Sequence, residues 1–191
     1  MKYELTDETK NGLRRIRALV AFSNVSAGEL GGWIENERNL SQEGNAWVSG
    51  NAQVFDKARV YDNARVYDNA HVFGNARVYD NAHVFGNAHV FGNARVSGNA
   101  LVCHNARVFD KARVFGSAQV TSYLLTANRS DGHTFAISRD EAGELRIMAG
   151  CRYFTLDEAR AHWKSTRGGT KLGEQSLLLV DHLEKMFLLA E

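Results

Sequence analysis

From Asn45 to Ser122 apolar residues recur as pairs two positions apart, once every six residues: Ala46 and Val48, Ala52 and Val54, and so on to Ala118 and Val120. The consensus N-A-[RH]-V-[FY]-[DG] runs through thirteen consecutive hexads without a gap. Residues two apart on an extended strand face the same side. Ala and Val therefore point inward, and the Arg or His and Phe or Tyr that follow each of them point outward. The Asp-Asn or Gly-Asn pair supplies residues that tolerate a left-handed corner. Each hexad predicts one short strand and one corner.

A six-residue unit cannot cover its own apolar face, so the units must stack into a solenoid. Three sides enclose a triangle that three Val and three Ala fill, whereas more sides would leave a void around such small residues. That fixes the coil at eighteen residues. The pattern, with an aliphatic residue inside and a small one two positions earlier, as in Ala82-Val84 and Ala88-Val90, resembles the hexapeptide-repeat left-handed parallel β-helix. The resemblance implies the left hand, because general crossover rules favour the right. The sequence departs from that family in one respect: the residue after Val, usually small, is here mostly Phe or Tyr.

The predicted fold is an all-β solenoid, a left-handed triangular parallel β-helix over residues 33–122, with an N-terminal cap (1–32) and a small C-terminal α+β module (123–191). Ile34 and Leu40, six apart, are the candidate inward residues of imperfect opening turns. The stretch "LGGWIENERNLSQEGNAWV" is similar to the N-terminal region of bacterial and phage-encoded hexapeptide-repeat proteins labelled transferases or polymer-forming cytoskeletal proteins. Residues 1–30 carry a weakly patterned apolar set, strand or helix, expected to cap the first coil because an open parallel edge invites aggregation. After the repeat, "HTFAISRD" and "ELRIMAG" read as a hairpin around Asp140 to Gly143. Thr155 with Glu158 three residues on predicts a helix start. A glycine-rich break then precedes a second helix, Ser176 to Ala190, with Leu179, Leu183, Met186, Phe187 and Ala190 on its apolar face.

The chain has 191 residues, 44% of them hydrophobic, and a formal net charge of +1, so charge alone directs it to neither nucleic acid nor membrane. Nucleic acid is accordingly not an expected partner. No window reaches the length of a membrane span. Two cysteines without metal spacing and a polar N-terminus point to the reducing cytoplasm.

Folding the repeat at eighteen sorts the outward residues into columns. The first face carries Phe55, Phe73, Phe91 and Phe109 beside Gln53, His71, His89 and Arg107. The second carries Arg59, Arg77, Arg95 and Arg113 beside Tyr61, Tyr79, Ser97 and Phe115. The third is mixed: Trp47, Arg65, His83, Leu101 and Gln119, beside Ser49, Tyr67, Phe85, Cys103 and Thr121. The phenylalanine column predicts an apolar strip and, from it, a homo-oligomer interface. Like charges in the arginine column repel. Asp62 and Asp80 are placed to neutralise the lower pair, which leaves Arg95 and Arg113, with Tyr79 or Phe115 as a stacking surface, to bind a small anionic ligand.

The resemblance implies an acyltransferase as the alternative activity, with acyl-CoA as its cofactor and His83 or His89 as general base. Against it, the repeat has no inserted loop. His71 and His89 could share a metal, but no third ligand accompanies them, and no metal is expected. Cys103 and His104 break the repeat, yet adjacent strand residues diverge, and Cys151 reads as structural. The sequence therefore favours a non-catalytic oligomeric scaffold without a cofactor. The phage resemblance adds a host protein or a nucleotide-like anion as the partner.

Overall fold

A computed structural model describes residues 1–150 and 152–190; Cys151 lies outside the described residues. The repeat forms thirteen two-residue strands, β4 (Trp47–Val48) to β16 (Gln119–Val120), and each except the last three runs parallel to the strand eighteen residues on. They make three flat faces. Every Ala and Val of the consensus, from Ala46 to Val120, is at most 1% exposed, so the triangle is closed by the small side chains its period demands.

The corners explain the alternation of Asp and Gly. Asp56, Asp62, Asp68, Asp80, His104 and Asp110 adopt φ between 56° and 60°, and Gly74, Gly86, Gly92 and Gly98 occupy the same conformation. Where the corner is Asp, its carboxylate accepts the N–H of the corner one coil above: Gly74 to Asp56 at 3.0 Å, Asp80 to Asp62 at 3.3 Å, Gly98 to Asp80 at 3.0 Å. The adjoining asparagines form amide ladders, such as Asn45 to Asn63 at 3.0 Å and Asn63 to Asn81 at 3.1 Å.

Between coils the lower N–H donates to the upper C=O, for example Trp47 to Ala64 at 3.0 Å. The first coil is thus left with free carbonyls, and buried ones must find donors. The N-terminal segment supplies them. Strands β1 (Tyr3–Lys10), β2 (Leu13–Ala18) and β3 (Leu30–Ile34) form an antiparallel meander, and β3 runs parallel to Gln53–Val54, extending the phenylalanine face. Trp33 and Glu35 N–H reach Ala52 and Val54, while Asn39 Nδ2 bridges Asp56 and Ala58. Lys2 Nζ donates to Ala46 at 2.9 Å, and burial, then the charge of Arg65, lowers its pKa to about 8. Ile34 and Leu40 are fully buried as expected.

The C-terminal module holds a four-stranded antiparallel sheet where the sequence marked one hairpin: β17 (Leu125–Asn128), β18 (Thr134–Arg139), β19 (Leu145–Ala149) and β20 (Arg152–Thr155). The β18–β19 turn lies at Asp140 to Gly143, as the sequence indicates. Helix α1 (Leu156–Arg167) starts at the expected capping box, Glu158 N to Thr155 Oγ1 at 3.2 Å with the reciprocal bond at 2.8 Å. Helix α2 (Lys171–Ala190) begins five residues before the expected start. Its first turn is closed by Gly173 N on the Thr170 hydroxyl at 3.1 Å. Glycine is required at 173 because a Cβ there would collide with the Arg167 carbonyl. The buried stripe is Gly173, Ser176, Val180, Leu183 and Phe187, so Met186 and Ala190 face outward instead. Among the described residues no helix is long and apolar enough to cross a membrane.

Candidate functional site

A concavity of about 730 Å³ lies on the mixed face under the loop joining β2 to β3. A tight turn makes that loop: Phe22 and Val25 exchange backbone bonds at 3.0 and 2.9 Å, and Ser23 takes φ 49°. The Phe22 ring meets Trp47 edge-on at 5.4 Å, and Tyr3 meets the same indole at 6.3 Å. Trp47 stands in the slot that elsewhere holds mostly Arg or His, so one aromatic exchange in the repeat anchors the loop to the solenoid. Ser23 and Asn24 then overhang Arg65, Tyr67, Asp68 and His83, with the Asn45-Asn63-Asn81 ladder along one side.

His83 is in register with Arg65 on the coil below, and its ring stands edge-on to Tyr67 at 6.0 Å. Burial first, and the Arg65 charge second, push the His83 pKa down, so the imidazole is neutral at pH 7. Burial also pulls Arg65 down, which Glu29 opposes. Tyr67 stacks on Phe85 at 4.9 Å, and burial raises its phenol, keeping it protonated. The groove therefore offers a neutral imidazole, a half-buried guanidinium, a phenol and a row of amides: acceptors and donors for a polar anion, and one base able to take a proton.

The two candidate histidines are separated. His89 lies on the phenylalanine face, its ring tilted by 31° to that of His71 at 4.9 Å, and outside the groove. Phe55, Phe73, Phe91 and Phe109 form the expected column, parallel and stacked at 5.1, 5.0 and 5.5 Å, each half-buried.

Arg59, Arg77, Arg95 and Arg113 lie in register. The expectation that Asp62 and Asp80 neutralise this column is not met: no carboxylate lies within 4.0 Å of these arginines among the described residues, because the corner aspartates turn to backbone N–H groups. Tyr79 stacks on Tyr61 at 5.1 Å and is separated from Phe115 by the Ser97 coil. Arg113 and Phe115 instead line a cavity of about 270 Å³ with His133 and Thr134 of the C-terminal sheet.

Cys103 is fully buried, and the His104 Nδ1 lies 3.2 Å from its sulfur. The expected divergence fails because His104 sits on the corner, at φ 57°, rather than on the strand. Burial, then Glu141, raises the thiol pKa, which holds it as a thiol rather than a nucleophilic thiolate. Among the described residues no three His, Cys, Asp or Glu side chains converge to hold a metal ion.

Sequence reasoning missed Ser23 and Asn24. The available signal was the pair Phe22 and Trp47, two large rings outside the hexad grammar.

Comparison with known proteins agrees with the repeat. A family model described as the YdcK β-solenoid repeat matches residues 58–74, 88–104 and 94–108. The uncharacterised acetyltransferase YdcK of Escherichia coli strain K12 is 50% identical to this chain over 44 residues. That stretch is 22% of this chain and only 14% of the relative.

Proposed function

We propose that the chain is a non-catalytic cytoplasmic binding scaffold that holds a polar, anionic ligand in the groove between Ser23-Asn24 and the Arg65-His83 column. One observation carries the reading: the loop from the N-terminal meander encloses the half-buried guanidinium of Arg65 and the imidazole of His83, whose pKa is lowered, in a concavity of about 730 Å³. An anion gains a charge-assisted bond from Arg65, while the Asp68 carboxylate that also lines the groove is engaged by the Gly86 N–H at 3.1 Å. The rigid coil fixes both rungs. The scaffold self-associates through the phenylalanine ladder, whose flanking His71 and His89 are held neutral by burial.

A second reading, acyl transfer from acyl-CoA, is favoured by the neutral His83, which has the protonation state a general base needs, and by the name that the partial relative carries. Within that reading the base is His83 and not His89. Incubation with acetyl-CoA and amine acceptors separates the two. The scaffold reading expects no turnover. Turnover lost in His83→Ala and kept in His89→Ala would replace it with the second.

A further inference from the structure

We infer that the seam between the arginine face and the C-terminal sheet binds an oligophosphate, with its terminal phosphate on Arg113 and the chain descending toward Arg95. The inference is independent of the groove on the mixed face.

Three observations converge on the seam. The first is an unmet set of donors. Along the arginine face each lower coil donates upward: Arg95 N to Ala112 at 2.9 Å and Ser97 N to Val114 at 2.9 Å. Arg113 and Phe115 have no coil above them, and among the described residues no acceptor reaches either N–H. On the mixed face the module meets the equivalent groups, with the Tyr153 hydroxyl on Gln119 N at 3.2 Å and the Arg139 carbonyl on Thr121 N at 3.3 Å. Above Arg113 it leaves the 270 Å³ cavity instead.

The second is charge without a counter-charge. Arg14, Arg15, Arg17, Arg129, Arg146 and Arg160 all lie within 4.0 Å of a carboxylate. The four ladder arginines do not, and they are exposed. Rungs about 4.8 Å apart place each guanidinium in the field of the next, a repulsion that a multivalent anion removes. The slot holds Arg in all four coils of this face, while the same slot elsewhere varies among His, Gln, Leu, Trp and Arg.

The third is the shape of the far end. His133 and Thr134 line the cavity together with Arg113, and Phe115, unlike the stacked Tyr61 and Tyr79, has no ring neighbour among the described residues. Backbone N–H groups, a guanidinium that grips oxygens in pairs and an imidazole suit a phosphate. Arg95 one rung down makes a chain of phosphates a better match than a single one. A free oligophosphate and the phosphate tail of a nucleotide share this chemistry.

Titration calorimetry at low salt with inorganic phosphate, tripolyphosphate and ATP tests the seam. Tripolyphosphate should bind about tenfold or more tightly than phosphate, and Arg95→Gln with Arg113→Gln should weaken it by at least a similar factor. Arg107→Gln on the phenylalanine face should not. ATP binding more tightly than tripolyphosphate identifies a nucleotide whose base lies on Phe115, and Phe115→Ala should erase that excess; equal affinities identify the phosphate chain alone. No heat with tripolyphosphate, or affinity unchanged in the doubly substituted protein with its β-sheet circular dichroism intact, overturns the inference.

Discussion

His71 and His89 lie in register on adjacent coils, with their rings 4.9 Å apart. Both pKa values are lowered, first by burial and then by nearby positive charge: Lys10 for His71, His71 and Arg107 for His89. Their folded values lie below the unfolded value of about 6.5, so the unfolded chain binds more protons as pH falls through 6.5. The stability they support is complete above that pH and lost progressively below it. Urea midpoints measured from pH 7.5 down to 5.5 should fall, and His71→Gln with His89→Gln should flatten the decline. A midpoint independent of pH in that window would contradict the burial assigned to the pair.

Ala88 is fully buried at a corner of the triangle, where extra methylenes have no space. Ala88→Leu should cost about 1 to 3 kcal/mol and visibly lower the melting temperature. A silent substitution would place Ala88 on the outside.

Phe73 and Phe91 stack face to face at 5.0 Å and are each half-buried. If this ladder joins subunits, Phe73→Arg with Phe91→Arg should convert an oligomer to a monomer in light scattering with the β-rich circular dichroism unchanged. An oligomer of unaltered mass would assign the rings to another surface, and a wild-type monomer would remove the interface.

The interior of the solenoid was legible because a strict six-residue period leaves one consistent choice of inward residues, and even the degenerate turns at Ile34 and Leu40 obey it. The capping box at Thr155 and Glu158 was equally local. The groove was not: Ser23 and Asn24 meet Arg65 and His83 only through the Phe22-Trp47 contact, which joins residues 25 apart. Spacing suggested that Asp62 and Asp80 pair with arginines. Competition from the backbone N–H groups of the next coil, which need acceptors, decided otherwise. The start of α2 was hidden because Gly173 reads as a breaker, whereas the close approach of the Arg167 carbonyl makes glycine the residue that fits.

On the proposed function, the groove under Ser23 and Asn24 holds a ligand by Arg65 and His83. Native mass spectrometry of protein purified gently from cells, compared with Arg65→Ala and His83→Ala, tests it most directly. The wild type should retain a mass above the polypeptide that both substitutions remove. The bare polypeptide mass in all three proteins, or an identical adduct in all three, would contradict it.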